Sequence, residues 1–160
     1  MRRRRKLLYP TYSVEEHLRR KQTRKQRHIQ LIMDKEYTYK ILSCLYEVHN
    51  QLGPGLLESI YEEASFRELT NQGFQVKRQV RVPVMYKGEH LTNDLRLDLI
   101  VDGKVILEIK SVLDYRKLFE KQLFTYLRLT GCALGYVVNF NEEHLRDGIF
   151  PVRNPYAEDS

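Results

Sequence analysis

The sequence lacks several features that would assign it to a class at once. It has no tryptophan and only two cysteines, Cys44 and Cys132, which form neither a CxxC pair nor a Cys/His cluster. This spacing argues against a structural zinc and fits a reducing compartment, in which both cysteines are small buried apolar residues. There is also no Ser/His/Asp pattern for nucleophilic catalysis, and Gly53-Pro54-Gly55 is too short and stiff to cradle a phosphate.

Long apolar segments are absent as well. No run approaches the ~20 residues that cross a membrane, and no apolar segment follows the charged N-terminus as it would in a secretory signal. We therefore expect a soluble, cytoplasmic protein with no membrane partner. A chain of 160 residues with 42% hydrophobic content suits one domain with one core.

Positive charge is concentrated at the N-terminus. Residues 1–30 carry eleven Lys/Arg and two Glu, a balance of +9, whereas the remaining residues carry sixteen Lys/Arg and nineteen Asp/Glu, a balance of −3. The basic segment can be a solvated tail, a contact for nucleic-acid phosphates, or an extension upstream of a start codon at Met33. We divide the chain into a basic arm at 1–32, a domain at 33–153 and a frayed tail at 154–160.

Hydrophobic periodicity predicts an α/β domain with a mixed β-sheet flanked by helices, in the order ααβββαβ. The predicted helices span 35–51, 56–71 and 115–130, and the predicted strands span 74–86, 95–101, 104–110 and 133–140. Pro83 favours an edge position or a break in the first strand, because proline cannot donate to the sheet. Two weaker elements are a polar helix over 13–31 and an edge strand over 148–152.

Residues 95–110, LRLDLIVDGKVILEIK, place charged groups in apolar strands. Asp98 interrupts the first strand, and Glu108 and Lys110 interrupt the second. Two carboxylates and an amine on neighbouring strands can hold a divalent cation and a water, which is the equipment for hydrolysing a phosphodiester. The spacing Glu108-x-Lys110 alone is weak evidence for a site, since about one Glu-x-Lys is expected by chance. The structural alternative is a salt bridge at the end of the strand.

Strand parity decides whether these acids meet. A two-residue turn at Asp102-Gly103 would pair Val101 with Lys104 and send Asp98 and Glu108 to opposite faces. A three-residue loop over 101–103 pairs Ile100 with Lys104 instead, and sets Asp98 diagonal to Glu108 on one face. The functional hypothesis therefore requires an odd loop or a bulge.

Two more polar residues are candidates with simple alternatives. Glu58 falls in the first turn of the second helix, where a carboxylate favours the helix dipole without any further role. Gln122 lies on an otherwise apolar helix face, where a lone polar residue is usually satisfied by the backbone.

Three segments together resemble the GxxExxY protein family, which is grouped with the PD-(D/E)XK nuclease superfamily. The resemblance covers about residues 36–152, and it implies a restriction-endonuclease-like core. The segments are EVHNQLGPGLLESIYEEA, RLDLIVDGKVILEIKS and EKQLFTYLRLTGCALGYVVNF.

The resemblance also implies roles for the acidic strand residues. Asp98 matches the metal-binding aspartate, although Leu97 stands where the superfamily's proline would be. Glu108 matches the acidic member of the (D/E)XK pair, and the carbonyl of Ile109 often joins such a metal shell. Lys110 matches the lysine that positions the attacking water. The implied cofactor is Mg²⁺ or Mn²⁺.

Glu58 and Gln122 match helix-borne residues that complete many of these sites. Glu58 matches a glutamate that acts through metal or water, and Gln122 matches a glutamine on the helix after the lysine strand. The implied function is a metal-dependent nuclease acting on DNA or RNA. The alternative is a non-catalytic module that retains the nuclease fold and binds nucleic acid or a protein.

Overall fold

The computed structural model of the chain describes the backbone of residues 24–157 and the side chains of residues 34–157. The predictions for residues 1–23 and 158–160, which include most of the basic arm and the end of the tail, lie outside the described residues. The chain divides into two units, Met1–Lys40 and Ile41–Ser160. Helix α1 (Arg24–Leu52) has residues in both units, and the predicted domain bounds stay predictions.

The elements that follow α1 are α2 Glu58–Asn71, β1 Val76–Val82, β2 Met85–Tyr86, β3 Glu89–His90, β4 Leu95–Val101, β5 Val105–Lys110, α3 Lys117–Thr130, β6 Leu134–Asn139, a 3-10 helix Leu145–Gly148 and β7 Ile149–Arg153. Among the described residues, five strands form one mixed sheet in the order β1-β4-β5-β6-β7. Within this sheet, β5 and β6 are the one parallel pair, and helix α3 makes the crossover that such a pair needs. A separate hairpin, β2–β3, follows the predicted break at Pro83.

One face of the sheet packs against α3. Leu123 and Leu127 recur at helical spacing and are fully buried, so they form the apolar face of this helix. The helix ends at Gly131, whose φ of 79° is left-handed and suits glycine. The core on this side consists of Val82, Leu97, Ile106, Leu123, Leu127, Cys132 and Val137.

The opposite face of the sheet is buried too. Strand alternation places Leu107 and Ile109 of β5 there, and neither is more than 1% exposed. Helix α2 packs against β1, β4 and β5. The predicted mixed sheet flanked by helices is therefore confirmed.

Tyr61 fixes the start of α2 relative to the loop that precedes it. Its ring stacks on Phe140 with the centroids 4.5 Å apart. Its hydroxyl donates to the carbonyl of Gly53 and accepts from the N–H of Leu56. The first turn of α2, with Glu58, is thus tied to the end of β6 through an aromatic stack and to the preceding loop through two hydrogen bonds.

No helix within the described residues has the length and apolar character needed to span a membrane.

Candidate functional site

Asp98 lies where the regular alternation of β4 is interrupted. Leu97 belongs to the buried cluster around Leu123, and Ile100 packs against the same cluster. Residues three apart in a regular strand point to opposite faces, so the strand changes phase between these two positions. The irregularity falls at Asp98, the one acidic residue of β4.

The facing position on β1 is irregular as well. Gln79 lies opposite Asp98, but it forms no regular pair, although its neighbours on both sides pair with β4. Its φ is 50°, a left-handed value that a glutamine rarely adopts. The two strands are therefore distorted together at this point.

The ladder between β4 and β5 ends just before the acids. Its last regular pair is Leu99 with Leu107. Beyond that pair the N–H of Ile109 donates to Oδ2 of Asp98 at 2.8 Å, and the N–H of Asp98 contacts Oε1 of Glu108 at 3.2 Å. Side-chain carboxylates thus replace the missing sheet bonds, and both are held at the end of the paired region.

The odd loop that the functional hypothesis requires is present, but its register differs from the one worked out for a loop over 101–103. Val101 pairs with Val105 and Ile100 with Ile106, so the loop is 102–104 instead of the predicted 101–103. The loop is still odd, and continuing the register brings Asp98 level with Glu108. The diagonal arrangement predicted from sequence is therefore replaced by a directly opposed one.

The shift in register has a local cause at Asp102. Its φ is 51°, and both its N–H and its carboxylate are bonded to Gln75, the residue before β1. These bonds hold Asp102 out of the strand, while the fully buried Val101 stays in it. Sequence reasoning assigned the left-handed conformation to Gly103 alone.

Burial dominates the electrostatics of the acid pair. Glu108 is buried, with only 6% of its surface exposed. Burial raises the pKa of its carboxyl to about 8, and the negative charge on Asp98 contributes to the rise. Burial also raises the pKa of Asp98, with smaller contributions from the charges on Glu62 and Glu58. Burial therefore disfavours the ionised form of both carboxylates.

Lys110 is the nearest cation but does not form a salt bridge with these acids. Its charge lowers the pKa of both Asp98 and Glu108. Its Nζ lies 5.0 Å from the centre of the Phe119 ring, and within residues 34–157 it is in no ion pair. The strand-end salt bridge considered as a structural alternative is therefore absent.

Glu58 lies at the far end of β5 from the loop. Its Oε1 accepts from the N–H of Ser111 at 3.3 Å, and the Ser111 hydroxyl donates to the carbonyl of Leu56. Its negative charge contributes to the raised pKa of both strand acids. Glu58 thus stands next to the residue that follows Lys110.

Glu62, one turn after Glu58 on α2, was not predicted as a site residue. It is buried, and it accepts from Nε2 of Gln79 at 2.7 Å and from Nε of Arg78 at 3.1 Å. The same Nε2 of Gln79 is 3.3 Å from Oδ1 of Asp98. Gln79 therefore links the helix carboxylate to the strand carboxylate.

Gln122 is exposed, and its side chain has no hydrogen bond in the part of the chain that the structure describes. Tyr126, one turn later on α3, is partly buried and interacts electrostatically with the acids. Burial raises the pKa of its hydroxyl, and the charges on Glu108 and Asp98 contribute. The acid pair therefore acts on Tyr126, whereas within residues 34–157 no hydrogen bond joins Gln122 to either acid.

Sequence reasoning missed three residues at the site, Glu62, Gln79 and Tyr126. Glu62 had a usable signal, because it lies four residues after Glu58 and so on the same helix face. Gln79 had none, since it stands in an alternating strand without glycine or a second proline. Tyr126 had none either, because a tyrosine four residues after Gln122 fits the otherwise apolar face of that helix.

The donor set fits a hard divalent cation with an incomplete protein shell. Asp98 and Glu108 offer adjacent carboxylate oxygens, the ligands that Mg²⁺ and Mn²⁺ prefer. Within residues 34–157, however, no three His, Cys, Asp or Glu side chains are grouped to hold a metal ion. The arrangement suits an ion that keeps several water ligands, as Mg²⁺ does.

Comparison with known proteins identifies the family of the chain. No curated protein and no solved structure matches the chain. A family model described as the PD-(D/E)XK nuclease superfamily matches residues 35–152, which include both helix-borne and strand-borne candidates. The chain therefore belongs to the PD-(D/E)XK nuclease superfamily.

Proposed function

We propose that this protein is a metal-dependent nuclease that hydrolyses phosphodiester bonds of DNA or RNA. The observation that carries the proposal is the arrangement of Asp98 and Glu108, whose carboxylates are held by backbone N–H groups where the β4–β5 ladder ends. Membership of a nuclease superfamily supports it.

Asp98 and Glu108 would hold Mg²⁺ or Mn²⁺, with the carbonyl of Ile109 as a third oxygen and Glu58 acting directly or through water. When bound, such an ion polarises the scissile phosphate and lowers the pKa of a water. The N–H groups of Ile109 and Asp98 fix the two carboxylates in advance, so little reorganisation is needed on binding.

Lys110 would orient the attacking water and stabilise the charge that develops on the phosphate. Its freedom from any ion pair in the described residues supports this role, because its ammonium remains available to a substrate. Gln122 would contact the substrate backbone, for which its exposed position is suited. Gln79 and Glu62 act behind Asp98 as positioning residues.

The test is cleavage of labelled DNA and RNA by purified protein with Mg²⁺ or Mn²⁺. We expect cutting that a chelator stops and that Asp98→Ala abolishes. Asp147→Ala, a change of an exposed aspartate on the 3-10 helix, serves as the matched control and should cut like wild type. Equal cutting by wild type and Asp98→Ala would reveal a contaminant and contradict the proposal.

A non-catalytic module that binds nucleic acid or protein is the second candidate. The observation in its favour is that no third metal-ligating side chain joins Asp98 and Glu108 within the described residues. Such a module would bind without any dependence on metal, and deletion of residues 1–30 would weaken its salt-sensitive contact with nucleic acid. Metal-dependent cleavage excludes it.

A further inference from the structure

Two arginines face each other on the strands that carry the candidate site. Arg81 of β1 is paired with Arg96 of β4, and both side chains are exposed. Like charges directly opposite each other in an antiparallel pair are destabilising. A bound anion would remove this repulsion.

Neither guanidinium has an acidic partner among residues 34–157. The neighbouring Arg78, in contrast, is bonded to the buried Glu62. Asp94 lines the same cleft as the two arginines, and its carboxylate is in contact with His90 at 3.1 Å. Within residues 34–157, the N–H donors of the two guanidinium groups therefore have no acidic partner, while the carboxylate of Asp94 is in contact with His90.

The arginines line an open cleft of about 230 Å³. Thr92 and Asn93 add a hydroxyl and an amide to its wall. Guanidinium groups bind phosphate oxygens through parallel N–H donors, and a hydroxyl or amide can complete the contact. The lining thus suits a phosphate group better than a neutral or cationic ligand.

The cleft lies close to the candidate site along the same strands. Arg96 precedes Asp98 by two residues, which is about 7 Å of extended strand. Neighbouring phosphates along one nucleic-acid strand are separated by a similar distance. A backbone whose scissile phosphate lies at Asp98 could therefore place an adjacent phosphate over the cleft.

We propose that Arg81 and Arg96 form a phosphate-binding subsite that holds the nucleic-acid backbone beside the candidate site. This inference rests on the proposed function and deepens it by naming the part of the substrate that is bound. Contacts to phosphate position the substrate without reading its sequence. The subsite therefore predicts affinity that depends on salt and not on base composition.

The experiment measures binding of fluorescently labelled single-stranded DNA, duplex DNA and RNA by anisotropy over a salt series. The full chain carries Asp98→Asn so that bound substrate stays intact. We expect Arg81→Ala with Arg96→Ala to weaken binding about tenfold and to reduce the slope of log affinity against log salt by about 1. Arg81→Lys with Arg96→Lys should keep the slope and lose part of the affinity, because lysine keeps the charge without the fork.

The control is Arg67→Ala with Arg146→Ala, which removes two exposed arginines that are already paired with Glu63 and Asp147. It should bind like the parent chain. Unchanged affinity and salt slope in Arg81→Ala with Arg96→Ala would overturn the subsite. Displacement of DNA by polyglutamate at the same concentration of charge would also overturn it, because the site would then bind any polyanion. The two proposals can fail separately. If binding depends on both arginines but the wild-type protein cuts no substrate, the subsite is supported and only the nuclease proposal is contradicted.

Discussion

Gln79 faces Asp98 across β1 and β4, and one amide nitrogen of its side chain serves two carboxylates. Nε2 lies 2.7 Å from Oε2 of Glu62 and 3.3 Å from Oδ1 of Asp98. The backbone of Gln79 is left-handed, with a φ of 50° in the middle of a strand. Strained conformations of this kind persist where the surrounding structure imposes them, and they cluster at functional sites.

The strain at Gln79 can be measured by replacing the residue with glycine and with alanine. Both changes remove the amide, but only glycine adopts a positive φ without a steric cost. We expect Gln79→Gly to be more stable than Gln79→Ala by about 1 kcal/mol in urea unfolding. The same two changes at Lys77, a regularly paired exposed position of β1, should show the opposite order. Alanine more stable than glycine at both positions would mean that the strain is absent.

The stability of the metal-free protein should depend on the protonation of Glu108. Its folded-state pKa of about 8 lies above its ordinary value of 4.5, so between these values the folded protein keeps a proton that the unfolded chain has released. The stabilisation is complete below about pH 4.5 and is lost as the pH rises through about 8, with a slope of at most about 1.4 kcal/mol per pH unit.

Glu108→Gln removes this titration, so its free energy of unfolding should fall less than that of wild type between pH 5 and pH 8. Urea unfolding in the presence of a chelator at several pH values provides the comparison. Parallel curves for the two proteins would show that Glu108 is not buried as described.

Asn139 holds the chain just after Lys110. It is fully buried, and its side chain both accepts from the N–H and donates to the carbonyl of Val112, each at 3.0 Å. Asn139→Ala leaves both backbone groups without this partner, so we expect a loss of about 1–3 kcal/mol in the free energy of unfolding. Asn141→Ala, in the connection that follows β6, should cost far less. Equal losses in the free energy of unfolding for the two variants would show that Asn139 does not hold the chain after Lys110.

Lys110 should affect cleavage far more than metal binding. We expect Lys110→Met to lower the cleavage rate by about 100-fold or more while the protein still binds Mn²⁺, because the ammonium acts on the developing charge. Lys117→Met, at an exposed lysine paired with Glu120, is the control. Rapid single-turnover cleavage by Lys110→Met would assign the lysine a structural role.

Much of the fold could be predicted from the sequence because its signals are local. Hydrophobic periodicity predicted a helix over 115–130, and Pro83 favoured a break in the first strand; the helix Lys117–Thr130 and the end of β1 at Val82 confirm both. The residues that this helix buries, Leu123 and Leu127, are not the ones that its pattern suggested. The predicted polar helix over 13–31 overlaps the described part of α1 only from residue 24.

The details of the site depend on contacts between distant parts of the chain, which the sequence pattern does not show. The register of β4 on β5 depends on the bonds between Asp102 and Gln75, which are 27 residues apart. The link from Glu62 to Asp98 depends on the backbone of Gln79, which no residue pattern signals. Alternation alone left an even and an odd loop open, so the sequence could state which loop the functional hypothesis requires but not which one forms. The structure has the odd loop, with a different register.

A titration of the full chain with Mn²⁺ tests the central claim most directly, since a cation must bind between the carboxylates of Asp98 and Glu108. Isothermal calorimetry should show one ion per chain with millimolar or tighter affinity in wild type, and at least tenfold weaker binding in Asp98→Asn and in Glu108→Gln. Asp147→Asn should bind like wild type. Equal Mn²⁺ binding by wild type and by both site variants would contradict the account.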